Sequence, residues 1–553
     1  MGTDAPAVAA ILGILKAGKS YALLDPLFPR KRLAHMIEDS QAGLILTSSR
    51  HEPLARELSE GECPVLNMAK LDPGLASEDL DLAISPDTTA YLTYTSGSTG
   101  QPKGVSHNHR NFLHRTMNLT NSFHVCPDDR ITMLHSISFV ASTIELFCAL
   151  LNGATLYPWD FKQEGFVGLA GWLVEQEITV WHWVPTPFRN FMSTLTEEHF
   201  PSVRLVVLGS EAVSSTDVAL YKKHFAPGSL FVNRIGATET FSFRLYFVDH
   251  EGEIDTGPVP VGYAIDAKEV ILLDEDGKEI GFNRVGEIAV RSPYLALGYW
   301  RKPEETRRRF LPDPAGGRER TFLTGDLGLM RPDGCLEHYG RKDFQVKIRG
   351  YRVEVSEIEL AVLEHPGVKE TVVVGREDRT GDTCLVAYVV LHPTMAAAVS
   401  ELRRLVSERL PDYMMPAAFV VLPVLPLTPT GKVDRLALPA PEMTGAGPAH
   451  PPGGARTPVE EALITIWSEV LGVIGMGVHD NFMELGGNSL HAAGVTARIL
   501  DTFRVELPLR SIFERPTIVE LAEAIERARA DGTTPASPRI APVPRNLQRV
   551  KRA

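Results

Sequence analysis

The chain has 553 residues, and at ~150 residues per domain this length predicts about three to four folding units. With 44% apolar and 23% charged residues it has the material for packed cores, so disorder throughout is excluded. Its 56 basic against 69 acidic side chains give a formal charge of −13, which opposes a nucleic-acid partner, because such a partner asks for a basic face.

Residues 1–340 alternate short apolar runs with amphipathic stretches, and 42–47 and 203–208 read as buried strands. Such alternation predicts α/β layers. From 341 to 439 the pattern changes: a strand-like 345–349, a helix-like 356–365 and strands at 371–374 and 385–391 make a small α+β unit. Residues 440–456, rich in proline and glycine, read as a linker. Thr457-Pro458-Val459-Glu460 then forms a capping-box start to a helix reaching about Leu471. Helical patterns at 490–502 and 517–529 complete a separate all-α bundle over 457–530, and the basic, proline-rich 531–553 read as a disordered linker tail. The five cysteines, Cys63, Cys126, Cys148, Cys335 and Cys384, are odd in number and form no C-x-x-C pair, which predicts a reduced, cytoplasmic protein without a zinc site. No apolar run reaches ~18 residues and no basic segment with an apolar core follows Met1, so neither a membrane span nor a leader is expected.

Chemistry enters at Thr95-Ser-Gly-Ser-Thr-Gly-Gln-Pro-Lys-Gly104, directly after a strand-like 90–94. Gly97 and Gly100 allow backbone N–H groups to converge, Thr95, Ser96, Ser98 and Thr99 add hydroxyls, and Lys103 adds positive charge. Such a turn can wrap a polyphosphate, although a bare Gly/Ser turn is more often a plain loop and this is not the G-x-x-x-x-G-K-[ST] pattern. The stretch resembles the signature loop of the adenylate-forming superfamily, which includes acyl-CoA synthetases, luciferases and the adenylation domains of nonribosomal peptide synthetases. The resemblance recurs in order at Leu15-Lys-Ala-Gly18, Gly236-Ala-Thr-Glu239, Gly286-Glu-Ile288, Leu323-Thr-Gly-Asp-Leu327, Gly340-Arg-Lys-Asp343 through Gly350, and Gly431-Lys-Val-Asp434.

That resemblance implies acyl-adenylate formation from ATP and a carboxylic acid. Glu239 is expected to hold Mg²⁺, Thr238 to contact the α-phosphate, Asp326 to take the ribose hydroxyls and Arg341 to contact ribose or phosphate. Lys432 is expected to bridge the substrate carboxylate and the phosphates from the tip of a small C-terminal lid, which rotates about a hinge at Asp343 and brings Gly350 to a pantetheine tunnel. A cleft between the lobes should therefore join Thr95, Glu239, Asp326 and Lys432.

Asp480-Asn-Phe-Met-Glu-Leu-Gly-Gly-Asn-Ser-Leu490 resembles the attachment site of a peptidyl or acyl carrier domain, with Ser489 carrying 4′-phosphopantetheine. Taken alone, Ser489 could be a helix N-cap. The resemblance implies a phosphopantetheinyl transferase as partner, and the tail at 538–545 resembles linkers that lead into a condensation domain. Because Leu15-Lys-Ala-Gly18 matches a motif that lies about a hundred residues into a full adenylation domain, the expectation is an incomplete N-terminal subdomain: a fragment, a misassigned start or half of a split protein.

By the same resemblance the acyl pocket is lined by Val140, Ala141, Ile144, His182, Val206, Leu208, Arg234, Ser242 and Phe243. Val140 stands where amino-acid-activating relatives carry an Asp that pairs with the α-ammonium, so the expected substrate is a small carboxylic acid without a free α-ammonium, bearing a hydroxyl, keto or second carboxylate group. Ile235 stands where an aromatic ring usually meets adenine, and Ala237 where proline is usual. His107, His109 and His114 lack carboxylate or cysteine partners at metal-binding spacing. The competing readings are amino-acid adenylation, an acyl-CoA ligase and a truncated non-catalytic binding protein.

Overall fold

The computed structural model describes residues 4–530 except 73, 76–77, 98, 255–257, 314–315, 378–381, 393–397, 429–431, 442–454 and 474. Most of the expected linker, the whole tail, Ser98 and the glycine preceding Lys432 lie outside the described residues.

The first 341 residues build α/β layers on three main sheets. Strands Arg130–Met133, Val180–Trp183, Leu205–Gly209 and Leu230–Ala237 are parallel neighbours in a seven-stranded sheet, and Phe241–Val248 returns antiparallel beside the last of them. Strand 205–209 is fully buried, as a continuous Leu-Val-Val-Leu run covered on both faces should be. A smaller sheet pairs Thr89–Thr95 with Lys103–Asn108, so the glycine-rich turn closes an antiparallel hairpin in the register Thr95↔Lys103. A third sheet carries Arg320–Met330 and Leu336–Arg341, which places Asp326 opposite Arg341. The expectation of a buried strand at 42–47 needs correction. Ile45–Thr47 pairs only with Val65–Asn67 in a two-stranded sheet, and Leu44 is exposed, because the apolar run has no covering layer.

After Arg341 the chain forms a short hairpin, Val346–Ile348 with Tyr351–Val353, turning through Arg349 and Gly350, both at positive φ (50° and 82°). The helix Val355–Leu363 and the sheet of Val368–Glu377, Thr383–Leu391 and Ala418–Val421 then enclose a core of their own around Ile358, Val373, Ala387 and Met414. This is a small α+β unit.

The C-terminal bundle consists of Pro458–Leu471, Ser489–Phe503, Ser511–Glu514 and Ile518–Ala530. Its first helix begins as the sequence predicts: the Thr457 hydroxyl accepts the Glu460 N–H at 3.1 Å, proline occupies the first turn, and Gly472 closes the helix in the left-handed conformation. Trp467 and Phe482 fill the interior. The bundle rests on the large region, where Ser489–Phe503 packs against Pro185–Met192 and Gly165 meets Ala493. No described helix is long and apolar enough to cross a membrane.

Candidate active site

A cavity opens where the large region, the hairpin and the small unit meet. Thr95, Ser96, Thr238, Asp326 and Arg341 line one part of it, Val140, Ala141, Ile144, Arg115 and Arg234 another, and Lys347, Gly350, Arg352 and Tyr413 close it from the small unit. It thus brings together residues from four separate motifs.

At the nucleotide end, the Asp326 carboxylate accepts Arg341 Nη1 at 2.7 Å and lies 3.4 Å from His338 Nε2. Burial opposes its ionisation, but the His338 hydrogen bond and the cations Lys347 and Arg341 outweigh burial and hold its pKa well below the ordinary range. Arg341 in turn grips Asp343 through two bonds of 2.7 and 2.8 Å, so the expected hinge carboxylate is tied to the large region's last strand.

The glycine-rich turn is engaged by the protein itself. Ser96 Oγ donates to the Arg352 carbonyl at 2.6 Å, the Gly97 N–H reaches Glu357 Oε2 at 3.3 Å, and Lys103 Nζ pairs with Glu305 at 2.6 Å while lying over the Tyr299 ring. A Cβ at Gly97 would collide with the Gln101 carbonyl, and one at Gly100 (φ 79°) would come within 2.9 Å of Leu360. Both glycines are therefore structurally required. Thr99 is exposed, and Thr95 Oγ1 is buried with no hydrogen-bond partner.

Glu239 is fully buried. Its carboxylate takes the Tyr299 hydroxyl at 2.8 Å and stands 3.3 Å from Arg352 Nη1 through each oxygen. Burial opposes ionisation there, and Arg352 with Lys103 overrides it to lower the pKa. A guanidinium already neutralises both oxygens, so in this arrangement Glu239 does not fit Mg²⁺.

Lys432 departs from expectation. It is exposed and absent from the cavity lining; its N–H bonds to Thr428 Oγ1 at 3.2 Å at the rim of the small unit. The small unit instead presents its hairpin. Gly350 enters the cavity with its N–H on Glu211 Oε1 at 2.8 Å, and a Cβ there would come within 2.9 Å of Val184.

The acyl pocket is partly as expected. Val140, Ala141, Ile144 and Arg234 line it, whereas His182, Val206, Leu208, Ser242 and Phe243 do not. Val206 and Leu208 share a face of their strand, and that face packs into the aromatic core with Trp181 and Phe188. A bulge between Ile235 and Gly236 shifts the register, setting Ser242 opposite Gly236 and leaving Phe243 in a different core with Ile235. His182 and Ser242 act from behind: Arg234 Nη1 donates to Ser242 Oγ at 2.8 Å, and Arg234 Nη2 lies 3.3 Å from His182 Nε2. His182 Nδ1 lies 3.4 Å from Glu145 Oε1, which also sits 2.6 Å from His135 Nδ1. Burial pushes the His182 pKa down to about 4, so the ring is neutral, donating to Glu145 and accepting from Arg234. His135, Glu145 and His182 form a buried group with donor atoms within 4.8 Å. The guanidinium against His182 makes the group a hydrogen-bond relay that is unfavourable for a cation. Sequence spacing gave no sign of it, because the members come from a loop, a helix and a strand. His107 stacks between Tyr91 and Phe241, and His114 lies flat on Tyr294 at 3.6 Å.

Ser489 opens its helix, but the cap is Asn488, whose side-chain oxygen accepts the N–H groups of Leu490 and His491 at 2.9 and 3.1 Å. The serine hydroxyl is thus free of capping duty, and it donates to Asp412 Oδ2 at 3.2 Å. Tyr413, the next residue, lines the cavity and stacks on Tyr351 at 3.9 Å. Gly487 has no room for a Cβ against Phe482, which accounts for the second glycine before the serine.

The AMP-binding enzyme family matches residues 1–300, the AMP-binding enzyme C-terminal domain 357–432, and the phosphopantetheine attachment site 461–525. Gramicidin S synthase 2 of Brevibacillus brevis is 39% identical over 528 residues, covering 94% of this chain and 11% of its own length. Tyrocidine synthase 1 of Brevibacillus parabrevis is 35% identical over 520 residues, covering 93% of this chain and 46% of its own. The chain therefore spans less than half the length of these relatives. Among solved structures, holo-PA1221, described as a nonribosomal peptide synthetase protein containing adenylation and carrier (PCP) domains bound to a vinylsulfonamide inhibitor, superimposes with a TM-score of 0.77 at 26% identity over 94% of this chain and 86% of that one.

Proposed function

The chain belongs to the AMP-binding enzyme family, and from that premise we propose that it is an adenylate-forming ligase that activates a carboxylic acid lacking a free α-ammonium and loads it onto its own carrier bundle. A carboxylate oxygen attacks the α-phosphorus of ATP and pyrophosphate leaves. A phosphopantetheine thiolate then attacks the acyl carbonyl and AMP leaves, the thiol proton passing to solvent. Cationic and hydroxyl groups from Thr95, Thr238 and Arg341 would stabilise the phosphate charge, and Asp326 the ribose. Phosphopantetheine supplies the nucleophilic sulfur, and the uncapped, partly exposed Ser489 hydroxyl at the N-terminus of a 15-residue helix fits its attachment.

One observation carries this reading: Ser489 docks on Asp412, one residue from a side chain that lines the cavity holding Thr95, Thr238 and Asp326. Gly350 in the cavity and Lys432 outside it support assigning this arrangement to the thioester-forming stage. The adenylating stage requires the small unit to turn near Asp343, withdrawing Arg352 from Glu239 and bringing Lys432 in. Val140 supports the substrate class, because a buried ammonium there would face an apolar side chain. The partners this scheme requires are a phosphopantetheinyl transferase and a neighbouring synthetase domain, such as a condensation domain, to consume the thioester.

Pyrophosphate release by the full chain with keto, hydroxy, aryl, dicarboxylic and amino acids tests the reading. At least one acid without an ammonium should release pyrophosphate, and Ser489→Ala should abolish covalent loading while sparing that release. Pyrophosphate release confined to amino acids would refute the substrate class; no release with any acid would refute the activity.

A further inference from the structure

The acyl end of the cavity holds two buried guanidiniums whose nitrogens are incompletely paired. Arg115, on the helix His109–Phe123, is 2% exposed; its Nη2 donates to Thr143 Oγ1 at 2.9 Å, while Nε and Nη1 have no acceptor. Its carbon Cζ lies 4.3 Å from the Phe241 ring centroid, and it makes no ion pair within 4.0 Å among the described residues. Thr143 Oγ1 donates onward to the Val140 carbonyl at 2.7 Å, so Arg115 stands one hydroxyl from the pocket-lining Val140. Arg234 faces the same space from its strand, bound to Ser242 and His182, and its Nε also lacks an acceptor.

Their counter-charge is poor. Among the described lining residues the one carboxylate is Asp326, which belongs to Arg341 at the nucleotide end. Glu145 supplies part of the counter-charge of Arg234 across the His182 ring, but it does not line the cavity and its Oε1 is committed to His135. The two guanidiniums feel each other. Burial first, and the Arg115 charge second, lower the Arg234 pKa to about 10, and the buried Cys148 thiol senses both cations. Arginine stays protonated at neutral pH, and a buried cation without a partner is the costly state.

We propose that the acid activated here carries a second carboxylate, seated between Arg115 and Arg234. An ionised carboxylate offers about four lone-pair directions and full charge, matching three unused N–H-bearing nitrogens on two forks. A keto or hydroxyl oxygen meets only part of that demand and none of the charge, and an ammonium is repelled. Arg115 thereby becomes a specificity-determining residue outside the set expected from the sequence. The inference rests on the adenylation reading above and narrows its substrate class.

The test is ATP–pyrophosphate exchange by the full chain with matched pairs: aliphatic and aryl dicarboxylic acids against monoacids of the same length, with the corresponding keto, hydroxy and amino acids. One diacid should exceed its monoacid partner by about 100-fold or more in kcat/KM, as expected when a polar subsite is left unfilled, and Arg115→Met should collapse that ratio towards unity mainly through KM. Arg115→Lys should restore part of the preference, because it retains the charge and loses the fork. A wild-type preference for monoacids, keto acids or amino acids overturns the inference while leaving adenylation standing. Exchange with no acid removes the adenylation reading itself. The wild-type comparison needs no variant to fold, and equal losses on both acids in a folded Arg115→Met protein also overturn the proposal.

Discussion

Glu357→Gln tests whether the observed arrangement is one stage of a cycle. Glu357 lies on the first helix of the small unit and is 1% exposed. Its Oε1 takes Arg32 Nη1 at 2.6 Å, and its Oε2 takes the Gly97 N–H at 3.3 Å. One carboxylate therefore ties the small unit both to the helix Arg30–Ser40 and to the glycine-rich turn. Amide substitution keeps the shape, removes the charge and leaves the Arg32 guanidinium buried and unpaired. Removing one member of a buried pair costs ~3–5 kcal/mol, and relaxation of the small unit away from Arg32 caps the loss at about 2–3 kcal/mol, or about 30- to 150-fold in the population of this arrangement. Single-turnover loading of holo-Ser489 should slow by that factor, while ATP–pyrophosphate exchange, which uses the other arrangement, should be retained. If both rates fall together the ion pair belongs to the fold and not to one stage; if loading is unchanged, the arrangement seen here is not the one that transfers the acyl group.

Val140→Asp puts a carboxylate at the acyl end of the cavity, where it should raise exchange with amino acids and lower exchange with the preferred acid by about tenfold or more; unchanged preference in a substrate panel would refute the pocket assignment. Lys268, 3% exposed, donates to the Tyr294 carbonyl, and burial lowers its pKa to about 7. Since the unfolded chain holds this proton up to about pH 10.4, the group's contribution to stability is complete only above that value and is lost as pH falls towards 7. Lys268→Met should therefore gain about 3 kcal/mol more over the wild type at pH 7 than at pH 9.5 in urea unfolding, and a gain independent of pH would show the lysine to be solvated.

What the sequence made legible was local. The Thr457–Glu460 box and the two following apolar periods placed the bundle's three longer helices to within a residue or two, since each signal acts within a few turns. The glycine-rich turn was legible for the same reason, and the strand-like 90–94 that leads into it pairs with Lys103–Asn108 as an antiparallel hairpin. The partners of that turn were not. Glu357 meets Gly97 across 260 positions and Arg32 across 325, and no periodicity encodes such a meeting. Arg115 reads as one more charge on a polar helix until the fold turns it inward beneath Phe241. The pocket expectation failed at Val206, Leu208 and Phe243 because the sequence shows that a strand is buried on both faces without showing which face meets a helix layer and which a cavity.

The charges that would meet nucleotide in one stage are met here by the protein's own side chains. Glu239 is matched by Arg352, the Gly97 N–H by Glu357 and Lys103 by Glu305. Two of these three partners, Arg352 and Glu357, ride on the small unit, so rotating it away exposes a carboxylate and an N–H together. In the cycle proposed above, nucleotide would then take the vacated place at the turn. A ligand shifts a two-state equilibrium only by its difference in affinity for the two states, and such an exchange of partners makes that difference large. Pyrophosphate departure would then leave the turn's donors without an anion, and Glu357, as placed here against the Gly97 N–H, would supply one. In that proposed cycle the lid's return would be coupled to product release by the electrostatics of a single loop.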